Sequence, residues 1–471
     1  MKLHIRNLGR IEEAEIDWRP LTVFVGETNT NKTWTAYAAY ALARYATREF
    51  LGGVAPYSAV LASQIGHAAE HVRAIVNDQL VKQRPAYDSM EQSPEVALLG
   101  EFDLDELHRR FPLDRWQVRI DGPTFADLMG IDHQRADGCD VQLGLDDILV
   151  QSSNDGKIEF VYDSTQRGPN LVASYSWPGS RQRRRERVFL DPRADISERV
   201  TREVVRIALL GVFHEAIVLP AERKAAVALI DAIEDGSPLP FSQPVIDFIE
   251  RMRAARRWDA LARRHDVEQS LSQSTIEHGL RQILEGTVSF DPDDRKLQFE
   301  RQGCRAIQLH GAASLVRSLA ALAVTLGARS EERCLLVIDE PEMNAHPRAQ
   351  CQIIELLAQL VNQGHYVLIT THSPYILDQL NNLVNAGTVP EERREKLAER
   401  FTLKTPDAFL DPEKVSVYHF RADGESSDAK VLVEDLYDRD ENLIDADTFG
   451  NISEDLERTF LATVEANLNR E

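Results

Sequence analysis

The sequence predicts an α/β fold built on a mixed, largely parallel sheet. Three observations carry that reading. A short, wholly apolar segment, Leu21–Val25, runs into a polar loop and then an Ala-rich stretch from Lys32 to Phe50, which is strand, loop, helix. After residue 312, helical and apolar strand-like segments alternate, at 312–326, 334–338, 347–363 and 366–370. The two strand-like segments of that series end in polar residues, Asp339-Glu340 and Thr371-His372-Ser373.

Taken in order, residues 2–6 and 12–17 alternate as two strands around a turn at Leu8-Gly9, an N-terminal antiparallel pair. Leu21–Val25 suits a strand buried on both faces. Beyond the first helix the pattern is mixed. A helix is expected near 57–83 and another over 194–211. Between them lies a strand-rich patch over 140–178, with turn signals at Asn154-Asp155-Gly156 and Gly168-Pro169-Asn170. A strand follows at 216–219, then helices through 285. Two strands, Gly286–Phe290 and Lys296–Arg301, are joined by the polar turn DPDD, and a later strand covers Lys414–Phe420. The expected organisation is a core split between 1–50 and 215–425, an inserted α+β region over 55–210, and an acidic tail over 426–471 that ends the core. Sustained heptads are missing, so no long coiled-coil arm is expected.

The 471 residues exceed one typical domain, and 43% of them are apolar, enough for a substantial core. No run of eighteen apolar residues is present, which argues against a membrane span. The first residues alternate like a strand and lack the apolar centre of a signal peptide, so a cytoplasmic location is expected. The four cysteines stand alone, without a CxxC pair, which fits a reducing compartment. Cys334 and Cys351 lie in apolar runs and read as core residues. The formal charge of −22 opposes non-specific binding to nucleic acid or an acidic membrane. Two basic clusters, Arg181–Arg187 and Arg251–His265, read either as solvated faces or as contact surfaces for nucleic acid or an acidic partner.

The loop after the first buried strand reads Gly26-Glu27-Thr28-Asn29-Thr30-Asn31-Lys32-Thr33. The phosphate-binding template G-x-x-x-x-G-K-[ST] is met except that Asn31 replaces the second glycine. Such a loop turns backbone N–H groups around phosphate oxygens at a helix start, whose dipole favours anions. Lys32 would reach the β- and γ-phosphates, and the Thr33 hydroxyl would meet Mg²⁺. Asparagine is the residue most tolerant of positive φ after glycine. Nucleotide binding is therefore expected to survive, weakened where the Asn31 side chain crowds the phosphates. Read by itself, the loop also fits an ordinary polar strand-to-helix connection.

The strand Cys334–Ile338 ends in Asp339 and Glu340. Hydrolysis of a phosphoanhydride needs a metal and a positioned base. Asp339 at the strand tip is placed for Mg²⁺, and Glu340 for the attacking water. His346-Pro347 opens the next helix, which stops at Gly364. His372 ends the neighbouring strand, within reach of a γ-phosphate. Glu222-Arg223 reads equally as a charged turn or as a functional pair.

Together these segments resemble the ABC-type ATPases of the SMC/RecF/OLD superfamily. GETNTNKT is similar to their phosphate loop, VIDEPEMNAHPRAQ to their Walker B and D-loop segment, and ITTHSPYIL to their switch-histidine segment. The opening HIRNLGRIEEAEIDWRPLTVFVGE resembles their first strands, and VLPAERK resembles a segment of the compact, arm-less members. The likeness covers 1–50 and 215–385. It implies an ABC-ATPase nucleotide-binding domain that binds ATP and Mg²⁺, with Gly26 through Thr33 around the nucleotide, Thr33 and Asp339 at the metal, and Glu340 and His372 as catalytic residues. It also implies a homo-oligomer, at least a facing dimer that shares its nucleotide sites. The signature segment, with Ser314, would come from the second copy; Leu315 stands where the family has glycine.

Val431-Leu432-Val433-Glu434 resembles the start of a Toprim nuclease, but too few residues follow for that fold, so no nuclease is expected here. Compact relatives pair with a separate effector, such as a nuclease, in bacterial anti-phage systems such as Septu and PARIS. The expected function is thus a nucleotide-dependent switch that holds or activates a partner. The competing readings are a low-turnover nucleotide-clamped scaffold and a RecF-like DNA-repair ATPase, the latter opposed by the charge.

Overall fold

A computed structural model of the chain describes residues 1–48, 96–103, 117–144, 157–163, 170–175, 184–189, 215–229, 241–264, 275–327, 334–424, 426, 429–445 and 458–463. The helices expected near 57–83 and 194–211, both expected turns apart from Asn170, and Arg181–Arg183 of the first basic cluster lie outside these residues. The elements are β1 (Lys2–Leu8), β2 (Ile11–Asp17), β3 (Leu21–Gly26), α1 (Lys32–Arg48), β4 (Val96–Asp103), β5 (Gln117–Asp121) and α2 (Gly122–Met129). There follow β6 (Asp140–Gly144), β7 (Lys157–Asp163), β8 (Asn170–Tyr175), β9 (Arg184–Phe189), β10 (Glu215–Leu219), α3 (Arg223–Leu229), α4 (Gln243–Arg264) and α5 (Thr275–Leu284). Then come β11 (Gly286–Phe290), β12 (Leu297–Arg301), β13 (Ile307–Gln308), α6 (Ser314–Gly327), β14 (Cys334–Asp339), α7 (Pro347–Asn362) and β15 (Tyr366–Thr371). Last are α8 (Pro374–Gly387), α9 (Glu391–Ala398), β16 (Val415–Ala422) and β17 (Val431–Asp435), with two short bridges after it.

The chain divides into two compact units. One holds residues 1–4, 41–124 and 140–215; the other holds 5–40, 125–139 and 216–471. In the first, β4, β7, β8 and β9 form an antiparallel meander, and β5 pairs antiparallel with β6.

The second unit is built on a six-stranded sheet in the order β10-β14-β15-β3-β16-β17. The run β14-β15-β3-β16 is parallel, and β17 joins antiparallel at the edge. Strands inside a parallel sheet have both faces covered and therefore read as continuous apolar runs. That is the character of LTVFVG and CLLVID, every residue of which is buried. The helix α7 begins as its sequence dictates: His346 is the N-cap, its ring nitrogen accepting from Arg348 N, and Pro347 takes the first turn. It ends at Gly364, whose φ of 95° only glycine adopts readily.

Glu355 on α7 is fully buried. It fixes the following connection by accepting from Thr402 N, Thr402 Oγ1, Leu403 N and Gln379 Nε2 at 2.7–3.0 Å. Cys334 is a core residue, whereas Cys351 is half-exposed, because it sits at the edge of the buried face of α7. The second basic cluster falls on α4, where Arg253 is buried and Arg257 exposed, so it is not one solvated face. Among the described residues the longest helix is α4, with 22 residues, and no helix is long and apolar enough to cross a membrane.

Candidate active site

In an open parallel sheet, ligands gather beyond the carboxyl ends of the strands. Here β14, β15 and β3 lie side by side in register, Asp339 opposite Thr370 and Thr371 opposite Val25. Their ends bring Gly26, Asp339-Glu340 and His372 to one edge.

Gly26 ends β3 at a φ of 138°, where a Cβ would sit 2.2 Å from the Phe420 carbonyl of β16. Only glycine fits that approach. The loop then turns through Glu27, Thr28 and Asn29, which are exposed, to Thr30 and Lys32, which are buried. The Thr30 hydroxyl donates to the Glu27 carbonyl at 2.7 Å. Lys32 Nζ donates to the Gly26 carbonyl at 2.9 Å, to Thr30 Oγ1 at 3.2 Å and to the Glu27 carbonyl. Burial pushes the Lys32 ammonium down to about 8, against the opposing pull of Glu340, Asp339 and Glu27.

Asn29 and Asn31 both adopt left-handed backbone, with φ of 63° and 64°. Asn31 thus meets the conformational demand of the glycine it replaces. Its side chain does not crowd the phosphate loop, contrary to expectation. It lies against the β1–β2 turn, accepting from Arg10 N at 3.1 Å and filling the space over Gly9, where a Cβ would come within 2.2 Å of Asn31 Nδ2.

Thr33, on the first turn of α1, donates to Asp339 Oδ1 at 3.1 Å and sits 3.3 Å from Oδ2. Asp339 also accepts from Thr370 Oγ1 and from Tyr37 Oη at 3.4 Å. Its burial raises the carboxyl pKa, and the bonds from Thr370 and Thr33 oppose that rise. Glu340 has a φ of 46°, strained for a residue with a side chain. Its N–H is held by the Thr370 carbonyl at 3.1 Å. Its carboxylate lies 3.4 Å from His372 Nε2, and that contact holds the Glu340 carboxyl below its ordinary range. The His372 N–H and the Thr371 hydroxyl both donate to Glu342 Oε1, at 2.8 and 2.7 Å. Burial pushes the Glu342 carboxyl up, and its Oε2 is sealed from solvent without a partner among the described residues.

Of the pair left open by the sequence, Glu222 is exposed and Arg223 is buried. The Arg223 guanidinium donates to four carbonyls: Pro220 at 3.1 Å, Ser318 at 3.2 Å, Asp339 at 2.8 Å and Glu340 at 2.9 Å. One side chain therefore ties α3 and α6 to the acidic end of β14. Ser314 opens α6, half-exposed, and its hydroxyl is 3.3 Å from Arg317 Nη2. No hydrogen bond among the described residues joins it to the phosphate loop.

Sequence reasoning missed Tyr37, Thr370 and Glu342. The spacing of Tyr37 from Thr33, one helical turn, was a usable signal. Thr33 Oγ1 and the Asp339 carboxylate are hard oxygen donors converging on one point. That set fits Mg²⁺, which takes few protein ligands and completes its shell with water and phosphate. Among the described residues no group of three His, Cys, Asp or Glu side chains could hold a metal without a nucleotide.

Residues 278–377 match the family model described as an AAA ATPase domain, a span that contains Ser314, Asp339, Glu340 and His372. Solved structures with some likeness include an Smc head bound to the C-terminal winged-helix domain of ScpA (9% identity, 92% of this chain and 97% of that one, TM-score 0.35). Others are the SMC head domain from Thermotoga maritima (8%, 80% and 90%, 0.30) and the Pyrococcus furiosus Smc head with an extended coiled coil bound to the C-terminal domain of ScpA (9%, 92% and 96%, 0.33). Likenesses at these scores carry no argument. No curated protein matches the chain. The domain match coincides with the motifs at the ends of β14 and β15, and it supports an ATP-binding ATPase domain in that part of the chain.

Proposed function

We propose that the chain is a Mg-ATP-driven switch: ATP closes a facing pair of copies, and hydrolysis reopens it to hold or release a partner protein. The observation that best supports this is the convergence of Thr33 with Asp339, beside Glu340 with His372, at one sheet edge.

In this reading the loop Gly26, Glu27, Thr28, Asn29, Thr30 and Asn31 surrounds the phosphates, and Lys32 turns from the loop carbonyls to the β- and γ-phosphates. Thr33 and Asp339 would hold Mg²⁺, which when bound neutralises charge on the phosphate oxygens. Glu340, kept ionised by His372, orients and deprotonates the attacking water. His372 meets the γ-phosphate and reports its presence to α8, which starts two residues later. Ser314 of a second copy would complete each site from across the interface.

The partner is best sought among separate effectors such as a nuclease, in a bacterial defence setting, with the chain in the cytoplasm. The net charge of −22 makes bulk nucleic acid a poor primary ligand.

The test is ATP turnover with Mg²⁺ by the purified chain, beside Lys32→Ala and Glu340→Gln, with molecular mass measured in each state. The expected result is loss of turnover in both variants, with a larger species trapped in Glu340→Gln plus ATP. Full turnover by Glu340→Gln would remove the assigned base, and absence of ATP binding by the wild-type chain would remove the reading itself.

A further inference from the structure

Glu340 and His372 stand at the ends of two different strands, yet a closed ring of bonds joins them. Glu340 Oε1 lies 3.4 Å from His372 Nε2. The main-chain N–H of His372 donates to Glu342 Oε1 at 2.8 Å. From Glu342 the chain returns to Glu340 through one residue, the buried Pro341, whose ring fixes its φ.

Further bonds stiffen this ring. Glu342 Oε1 also accepts from the Thr371 hydroxyl at 2.7 Å, and Thr371 Oγ1 accepts from Ser373 N at 3.0 Å. One carboxylate oxygen thus organises Thr371, His372 and, through the Thr371 hydroxyl, Ser373. On the other side, Glu340 N lies 3.1 Å from both the carbonyl and the hydroxyl oxygen of Thr370. A polar network closed in this way in a low-dielectric interior rigidifies what it joins.

Glu342 is unsuited to acid–base work. Its Oε2 is sealed from solvent and has no hydrogen-bond partner among the described residues, so it cannot take a proton from a water. Burying that oxygen costs free energy. What the carboxyl supplies is an acceptor for two donors of the His372 segment.

We propose that Glu342 is a positioning residue: its bond to the His372 N–H sets the imidazole against Glu340, and with it the rate of the hydrolytic step. The statement about rate rests on the ATPase reading; the statement about geometry does not.

The test compares two variants of the full chain. Glu342→Met removes the acceptor at similar length and volume. Glu342→Gln keeps an acceptor oxygen and removes the charge. Single-turnover hydrolysis and ATP affinity are measured for each. Misplacing a reacting group by about 1 Å costs on the order of 10²-fold. Glu342→Met is therefore expected to lose about that factor in rate, with ATP affinity held within about twofold, and Glu342→Gln to recover most of the rate. Glu342→Ala gives the same comparison should Glu342→Met fold poorly. A packing role alone would lower the melting temperature of Glu342→Met and leave the hydrolytic rate of its folded chain unchanged.

A second readout needs no turnover. In a chain isotopically labelled at its histidines, the His372 main-chain and ring signals are assigned by their loss in His372→Gln. Both are expected to move in Glu342→Met and to stay near their wild-type positions in Glu342→Gln. Wild-type hydrolysis by Glu342→Met, equal losses in the Met and Gln variants, a fall in ATP affinity as large as the fall in rate, or a His372 spectrum untouched by Glu342→Met would each overturn the proposal. A wild-type chain that binds no ATP, with His372 still displaced by Glu342→Met, would remove the ATPase reading alone and uphold the positioning of His372.

Discussion

The side-chain oxygen of Asn31 accepts the backbone N–H of Arg10 at 3.1 Å, and the Arg10 guanidinium donates to the carbonyl of Asn29. The β1–β2 turn therefore clamps both left-handed residues of the phosphate loop. That turn is in turn held to the sheet edge, where Val431 N of β17 donates to the Arg10 carbonyl at 2.9 Å. The residue that departs from the phosphate-loop template thus acts as an anchor for the loop.

Replacing Asn31 should separate its two contributions. Asn31→Ala keeps a Cβ in left-handed backbone, a strain of about 1–2 kcal/mol, and removes a hydrogen bond of about 1 kcal/mol. Asn31→Gly loses the bond and relieves the strain. Alanine is therefore expected to lower both the melting temperature and ATP affinity more than glycine does. Thermal unfolding and nucleotide titration measure this, and equal losses in the two variants would contradict the strain argument.

Lys32 offers a pH signature of nucleotide binding. In the free chain its pKa lies at about 8. Phosphate oxygens favour the charged ammonium, so binding must raise that value. At pH 8 about half of the lysines are neutral before binding and each takes up a proton; at pH 7 only about a tenth are. Proton uptake should therefore approach half a proton at pH 8 and fade on acidification, while ATP affinity declines as pH climbs past 8. Calorimetry in buffers of different ionisation heat reads the uptake directly. Lys32→Arg, charged throughout, should show none.

Arg223 touches no group that could meet a phosphate, yet two of its four bonds fix the carbonyls of Asp339 and Glu340. It is a positioning residue for the strained Glu340. A lysine has one compact head and cannot span four carbonyls. Arg223→Lys should cost about 2–4 kcal/mol of stability and reduce single-turnover hydrolysis far more than ATP affinity. Urea unfolding and rapid-quench hydrolysis would follow the two effects. A folded variant that hydrolyses ATP normally would show that the bonds serve packing alone.

Much of this geometry was readable from the chain. The strands β3, β14 and β15 declare themselves because parallel strands buried on both faces cannot alternate. Once three such strands lie side by side, the residues at their ends must converge, which brings Thr33, Asp339, Glu340 and His372 within bonding distance of each other in pairs. What was not readable depends on distant contacts. The direction of the Asn31 side chain is set by a turn 21 residues away, and the burial of Arg223 by carbonyls 95 to 117 residues away. Neither leaves a mark on local periodicity. Cys351 was misread for a related reason: an apolar run on a helix does not bury every member, because the face that meets the core is narrower than the run.

The proposed facing pair makes a prediction that either copy alone cannot satisfy. Each site would take Lys32 from one copy and Ser314 from the other. Lys32→Ala should remove one contribution, and Ser314→Glu should oppose the γ-phosphate with a like charge at the start of α6. Each variant alone has two defective sites per pair. A mixed pair concentrates both defects in one site and leaves the other intact. With random exchange, half of the pairs are mixed, so about a quarter of all sites are whole, and turnover should return to about a quarter of wild type if the sites act independently. Turnover of the mixture against each variant alone, at matched total concentration, makes the measurement. If the two residues served the same site within one chain, mixing would restore nothing.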